Sequence, residues 1–284
     1  MTDDGPDGLD AVTRSLLQEW ELSPRGPITH PGSSMALRVQ RRGVEGAAGA
    51  AVLRRADPAT TDATEHVVLR RWAGNGSVRL LAADPVRAAV LVEDPAPGVD
   101  LTAIDLIEAC EVLGGMIGRL AVPAPPQLVG VAEVLTGLPA ALHRTPDLLP
   151  RRMVDEAIAQ ARALSQDTGT VLTVPTALDF RSVVTAARQP HLTTSGLALA
   201  GDPALAVAAA VWDRPAETAR AHRVRTHLRL RVEVICDVAG IDPARARAFT
   251  VVRTVARITD LATRGLGSAD DVTTAIGIVK AMQG

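Results

Sequence analysis

The chain has 284 residues, 47% of them hydrophobic, and a formal net charge of −2. The charge is nearly balanced and aromatic residues are scarce, so neither an electrostatic nor a stacking surface for nucleic acid is expected. No uninterrupted apolar run is long enough to cross a bilayer. The acidic N-terminus lacks the pattern of a signal peptide, so we expect a soluble, cytoplasmic protein without membrane partners.

The first third of the chain is predicted to form a sheet with one inserted helix. Alternating apolar residues predict strands over residues 33–43 and 47–57, joined by a glycine-rich turn. A helix follows over 64–76 and ends at Gly74 or Gly76. Two further strands are predicted over 77–84 and 88–94, with a turn between them.

The rest of the chain is predicted to be mostly helical. Apolar periodicity and capping residues predict helices within residues 102–122, 148–166, 201–214, 217–240, 242–265 and 268–284. Asp242 and Ser268 are the predicted N-caps of the last two. Strands followed by helices indicate an α+β chain, with a β-rich lobe over residues 1–97 and a helical lobe over 98–284.

Arginine, cysteine and histidine are each predicted to be structural. The arginines of residues 219–234 alternate with Leu and Val at helical spacing and predict a solvated helix face, with a partner-binding surface as the alternative. Cys110 and Cys236 are far apart in apolar surroundings and are predicted to be buried thiols. The six histidines form no metal-spaced group, so no metal site is predicted from them.

Two segments carry a specific resemblance. Residues 65–85 read EHVVLRRWAGNGSVRLLAADP, and residues 171–214 read VLTVPTALDFRSVVTAARQPHLTTSGLALAGDPALAVAAAVWDR. The second resembles the streptomycin 6-phosphotransferase and hydroxyurea phosphotransferase family, which carries H-[GT]-D-L-H-[FY]-E-N-V-L, then W-L-A-I-D-P, then L-x-G-D-P-A-F-D-V-A-x-x-L-W-N-R. A gapless register keeps the framework at Leu178, Phe180, Val183, Val184, Pro190, Leu192, Leu199, Gly201, Asp202, Pro203, Ala204, Val207, Trp212 and Arg214.

In the same register, the catalytic and metal-binding residues that the resemblance implies are replaced. Phosphoryl transfer needs a carboxylate at the attacking hydroxyl and an Asn and Asp pair to hold magnesium. Here the catalytic aspartate falls on Ala177, and the two metal ligands fall on Ser182 and Ser195. The family's two loop histidines fall on Pro175 and Asp179.

Asp179 is the nearest substitute for the catalytic aspartate. If it served as the base, the metal ligand would lie five residues on, at Val184, which is apolar. Moving the register would also destroy the match at the GDP segment that begins at Gly201. We therefore predict that Asp179 is a polar loop residue.

The resemblance also implies the cofactor-binding positions of the first lobe. The lysine that contacts ATP phosphates in the family falls on Arg54, and its helix partner falls on Glu65. Arginine keeps the charge but is bulkier and planar. No ordered glycine loop is present, since Gly26 and Gly32 fit no strict pattern.

The resemblance implies a bilobal, kinase-like fold of the aminoglycoside phosphotransferase type. The first hypothesis is a pseudokinase that needs no cofactor and binds a partner protein, a peptide or a small molecule in its cleft. The alternative is an active ATP-dependent and magnesium-dependent O-phosphotransferase of aminoglycoside-type compounds that uses Asp179. Between them stands a pseudokinase that holds a nucleotide through Arg54 and Glu65 without metal.

Overall fold

A five-stranded antiparallel sheet with the order β1-β2-β3-β5-β4 forms the N-lobe of this computed structural model. The structure describes residues 9–30, 34–56, 64–95, 98–143, 148–167, 169–186, 189–193 and 198–283. The strands are β1 (Leu22–Pro24), β2 (Met35–Arg41), β3 (Ala50–Arg55), β4 (Leu80–Asp84) and β5 (Ala89–Glu93). The predicted strands are confirmed, and β1 adds a fifth.

Each face of this sheet is covered by a helix. Leu16 of α1 (Ala11–Glu19) packs with Leu53 of β3 in a small separate core. On the opposite face, Trp72 of α2 (Glu65–Trp72) packs with Val92 of β5 in the main core. The Trp72 indole donates to the carbonyl of Leu120 at 2.9 Å, so the two lobes share that core.

The end of α2 follows the sequence prediction. Ala73 takes a left-handed conformation at φ 52°, and Gly74 and Gly76 both have φ 82°. Positive φ is incompatible with a continuing helix and costs glycine little, so the chain turns here toward β4.

The C-lobe is mainly helical. Its helices are α3 (Leu106–Leu120), α4 (Val131–His143), α5 (Arg151–Gln166), α6 (Val207–Trp212), α7 (Pro215–Arg220), α8 (Val224–Ala239), α9 (Pro243–Thr263) and α10 (Ala269–Met282). Both predicted N-caps are confirmed: Asp242 accepts from the Ala244 amide at 2.9 Å, and Ser268 forms a capping box with Asp271. Among the described residues, no helix combines the length and apolar character needed to cross a membrane.

Two predicted helices are corrected in detail. The segment 201–214 begins with a 3-10 turn, Pro203–Ala206, before α6. The predicted helix over 217–240 is broken between α7 and α8, and Thr218 Oγ1 accepts from Arg231 Nη2 at 3.0 Å. A straight helix would hold residues 13 positions apart about 20 Å from each other. Helix α4 was not predicted.

Short strands of the C-lobe frame one loop. β7 (Leu172–Pro175) pairs with β10 (Ala198–Gly201), and β6 (Val99–Asp100), β8 (Val183–Ala186) and β9 (Gln189–Leu192) form a small antiparallel sheet. Residues 176–182, between β7 and β8, are called the floor loop below. The predicted lobe boundary at residue 97 lies outside the described residues and stays a prediction.

Candidate ligand-binding cleft

A cavity of about 770 Å³ lies between the lobes. Strands β2, β3 and β5 and the segment between β1 and β2 form its upper walls, whereas the floor loop and Thr193 form its lower wall. Its volume is in the range of sites that enclose a small molecule. The predicted positions Arg54, Glu65, Ala177, Asp179 and Ser182 all line it.

Arg54 joins three parts of the cleft. Its Nη2 lies 2.6 Å from Glu65 Oε1, and the two side chains are only 11% and 21% exposed. Its Nη1 donates to the main-chain carbonyl of Thr193, in the C-lobe. Arg54 therefore ties β3 to α2, as the sequence predicts, and also binds the opposite wall of the cleft.

The floor loop contains a closed hydrogen-bonded turn between Asp179 and Ser182. The buried Ser182 hydroxyl accepts from the Asp179 amide at 2.9 Å and donates to the Asp179 carbonyl at 3.0 Å. Asp179 Oδ1 in return accepts from the amides of Arg181 and Ser182 at 3.1 and 2.8 Å. The side chains of Asp179 and Ser182 thus stabilise the turn itself.

The charge of Asp179 is disfavoured where it sits. Burial raises the pKa of its carboxyl, and the nearby Asp213 carboxylate raises that pKa further, against the lowering effect of the bonds to Ser182 and Arg181. Asp213 itself was not singled out from the sequence. Asp179 lies in a loop, as the sequence predicts, and borders the cavity as a half-buried group.

The predicted catalytic and metal positions that the structure describes, Ala177 and Ser182, do not fit a magnesium ion. Magnesium prefers carboxylate oxygens, yet Ala177 offers no ligand and the Ser182 hydroxyl is already bonded to the main chain. Within the ranges that the structure describes, no group of three or more His, Cys, Asp or Glu residues could hold a metal ion. Ser195, the second predicted metal position, lies outside the described residues.

Two arginines from beyond the loop hold its only aromatic residue. The Phe180 ring is buried and lies 4.7 Å from the Arg214 guanidinium carbon and 5.9 Å from that of Arg231. Arg231 is completely buried and donates to the Asp213 carbonyl at 2.7 Å. The prediction that the arginines of 219–234 form a solvated face is therefore wrong for Arg231, because carbonyls from a distant segment replace its water.

The framework positions kept from the family pattern are largely core positions. Leu178, Phe180 and Val183 are buried in the core around the floor loop, whereas Ala177 and the buried Ser182 line the cavity. A Cβ added at Gly201 would lie 2.6 Å from Val131, so only glycine fits there.

Asp202 lies away from the cleft. One oxygen accepts from the Ala204 amide at 2.8 Å, and the other pairs with Arg245, which also contacts Asp167 at 2.7 Å. Asp202 therefore caps a turn and pairs with an arginine of α9. The cavity also holds Arg25 and Arg181, which sequence reasoning missed, although Arg181 lies inside the segment it singled out.

Comparison with known proteins assigns the family. A family model described as "Aminoglycoside/hydroxyurea antibiotic resistance kinase" matches residues 19–262. This chain belongs to that family. It is 32% identical over 258 residues to hydroxyurea phosphotransferase of Kitasatospora aureofaciens, covering 88% of this chain and 72% of that protein. It is 30% identical over 251 residues to streptomycin 6-kinase of Streptomyces glaucescens, covering 86% and 80% respectively.

Solved structures confirm the kinase-like fold. A thermostable mutant of aminoglycoside phosphotransferase APH(4)-Ia, in a ternary complex with ADP and hygromycin B, matches with a TM-score of 0.63 at 16% identity, over 96% of this chain and 99% of that one. Choline kinase LicA from Streptococcus pneumoniae matches with a TM-score of 0.64 at 9% identity, over 95% and 97%. At such identities the likeness is one of fold.

Proposed function

We propose that this chain is a pseudokinase of the aminoglycoside/hydroxyurea kinase family, which binds a ligand in its cleft and does not transfer phosphate. The observation that carries the proposal is the closed turn of the floor loop. Its single carboxylate, Asp179, accepts through Oδ1 from the loop's own amides, and Ser182, which the sequence predicts at a metal-ligand position, donates its hydroxyl to the main chain. Ala177 offers no base.

In this proposal the catalytic base and the metal ligands are lost together. Base and metal ligands act as a unit in phosphoryl transfer, and each deletion costs orders of magnitude in rate. The cleft nevertheless has a volume of about 770 Å³ and is lined by arginines, which supports ligand binding as its activity. A small molecule fits the enclosed cavity, and a protein or peptide segment is the other class of partner that this cleft could receive. We expect no requirement for ATP or magnesium.

One observation favours a second candidate function, an active O-phosphotransferase of aminoglycoside-type compounds. Asp179 borders the cavity, and burial raises the pKa of its carboxyl, as is common for catalytic acids and bases. In that case Asp179 would deprotonate the attacking hydroxyl.

Direct measurement of phosphate transfer separates the two functions. The purified chain is incubated with ATP, magnesium and a panel of aminoglycosides plus hydroxyurea, and phosphorylated product is detected by mass spectrometry. The streptomycin 6-kinase of Streptomyces glaucescens serves as the positive control. We expect no product above background. Turnover that disappears in the Asp179→Ala variant would establish the active enzyme instead.

A further inference from the structure

The outward face of α8 carries opposite charges at its two ends. Arg223 is the N-cap residue of the helix, whereas Glu233 and Asp237 lie in its second half. All three residues are exposed, and none of them forms an ion pair with a residue that the structure describes. Arg223 and Asp237 are fourteen residues apart, which is about 21 Å along a helix, so these two charges cannot pair within one molecule.

This charge distribution is opposite to the one that the helix dipole favours. The N-terminus of a helix favours anions and the C-terminus favours cations, yet α8 has no acidic residue in its first turn and no basic residue in its last. The end of α10 accounts for Arg225 and Arg229, which donate to the carbonyls of Gln283 and Ala281. It leaves Arg223 at one end of α8 and the two carboxylates at the other without a described partner. A second helix packed antiparallel on the outward face would offset both ends, because its dipole points the opposite way.

Apolar side chains lie between the two charged ends. Leu230 is seven residues from both Arg223 and Asp237, so the three fall on one stripe of the helix. Leu230 is 42% exposed, and Val238, which borders α3, is 47% exposed. A Cβ built at Gly118 of α3 would meet no other atom within 4 Å, so the surface beside α8 is low. A second helix can therefore reach the apolar stripe of α8.

A two-fold axis at Leu230 makes this face complementary to itself. In an antiparallel pair of α8 helices related by such an axis, each residue faces the residue equally far from Leu230 in the other direction. Arg223 then lies opposite Asp237 of the second copy, and His227 lies opposite Glu233 of the second copy. The two copies of Leu230 meet at the centre of the contact.

His227 is suited to face a carboxylate. Its Nε2 lies 2.9 Å from Nη2 of the buried Arg231. A guanidinium can only donate, so Nε2 accepts and the hydrogen of the neutral ring lies on Nδ1. The Nδ1 hydrogen is then the donor that Glu233 of a second copy can accept.

We propose that two copies of this chain associate through the outward faces of their α8 helices, antiparallel and about a two-fold axis at Leu230. No residue of α8 lines the cleft, so the inference goes beyond the proposed function and does not depend on it. A contact centred on one pair of helices buries less than the about 1,200–2,000 Å² of a standard interface. The dimer should therefore be reversible, with a Kd of about 10–100 μM.

Sedimentation equilibrium of the full chain, up to about 500 μM, tests the proposal. Arg223→Glu and Asp237→Arg each place like charges opposite each other, and each should raise the dimer Kd by at least about tenfold. An equimolar mixture of these two variants should associate with a Kd close to that of the parent, because the mixed dimer pairs opposite charges at both ends. Arg151→Glu is the matched control, since the Arg151 side chain is 93% exposed on α5, and it should dimerise like the parent.

Cross-linking through Leu230→Cys gives a second readout. A residue on a two-fold axis meets its own copy, so oxidation with copper phenanthroline should join two chains by a disulfide. The native Cys110 and Cys236 are completely buried and should not react. Val86→Cys is the control, because Val86 is 91% exposed on the turn between β4 and β5, and it should cross-link far more slowly at the same concentration.

Several results would overturn the inference. A parent that stays monomeric up to about 500 μM has no such interface. A parent dimer that Arg223→Glu and Asp237→Arg leave intact is held by another surface. A mixture of the two variants that fails to associate, or Leu230→Cys chains that cross-link no faster than the Val86→Cys control, excludes the antiparallel arrangement. The pseudokinase proposal fails separately, through phosphorylated product, so the two failures are distinguishable.

Discussion

The ion pair between Arg54 and Glu65 should be a strong determinant of stability. We consider Arg54→Met, Glu65→Met and the double variant. Both side chains are mostly buried, and Arg54 also donates to the Thr193 carbonyl. Arg54→Met leaves Glu65 as an unpaired carboxylate, whereas Glu65→Met leaves Arg54 with its main-chain acceptor.

The expected magnitudes follow from this burial. Breaking a fully buried pair by removing one partner costs about 3–5 kcal/mol, and partial hydration from the cavity lowers this to about 2 kcal/mol for Arg54→Met. Glu65→Met should cost about 1.5 kcal/mol because Arg54 keeps one partner. The double variant should lose only about 1 kcal/mol, since two apolar side chains replace two buried charges. The coupling free energy between the two positions is then about 2.5 kcal/mol.

Urea unfolding of the four proteins measures this coupling. The same cycle at Arg151 and Asp155 of α5 is the control, because these side chains are 93% and 64% exposed and 4.0 Å apart. Its coupling should stay below about 0.5 kcal/mol. If the cycle at Arg54 and Glu65 gave a value as small as that control, the assignment of Arg54 as the link between β3, α2 and the opposite wall would be refuted.

Three further predictions concern single residues. Ser182→Ala should lower the free energy of unfolding by about 1–2 kcal/mol, because the Asp179 amide and carbonyl lose their partner, and an unchanged urea midpoint would argue against the closed turn. Asp179→Asn keeps an acceptor for both loop amides and removes a carboxyl whose pKa is raised from 3.8 on folding. The native parent then binds more protons than the unfolded chain above that pH, so the parent should lose stability relative to Asp179→Asn as pH rises from 3.8 toward neutral. A stability difference that does not vary with pH would contradict the raised pKa. Burial raises the pKa of Cys110 and Cys236 to about 12, so a thiol reagent at mildly alkaline pH should modify neither until urea unfolds the chain, and rapid labelling of the native protein would place a thiol at the surface.

The N-lobe could be predicted from the sequence because its signals are local. Alternating apolar residues identified strands β2 to β5, and glycines marked the end of α2 near Gly74. Helix α1 was missed although its sequence carries a start signal, Asp10, whose side chain accepts from the Thr13 amide at 2.7 Å as an N-cap. Its 9 residues pack on the sheet through Leu16.

The features that could not be predicted from the sequence depend on backbone geometry and on contacts between residues far apart in the chain. Ala177, Asp179 and Ser182 all line one cavity, whereas the roles that the register assigns to them stay predictions. The bonds that join the Ser182 hydroxyl to the Asp179 main chain depend on backbone geometry, which residue types do not encode. The burial of Arg231 depends on carbonyls about 20 residues away, and helical spacing alone placed it in solvent.

A variant that restores the catalytic and metal-binding residues expected from the family tests the same interpretation of the floor loop. The variant carries Ala177→Asp, Ser182→Asn and Ser195→Asp, with Arg54→Lys to clear the phosphate position. Added carboxylates repel one another until a cation binds, and the asparagine also breaks the Ser182 turn. We therefore expect a lower Tm without ligand and a recovery on adding magnesium and ATP.

The most direct test of the central claim is the magnesium-dependent part of the ATP-induced change in Tm, measured on the parent and on this restored variant together with ATP turnover. The account predicts no magnesium-dependent increment and no turnover for the parent, and a clear increment with detectable turnover for the restored variant. A parent that gains stability from magnesium with ATP and turns ATP over would contradict the account. A restored variant as stable as the parent and indifferent to magnesium would contradict the register on which the assignment of Ala177, Ser182 and Ser195 depends.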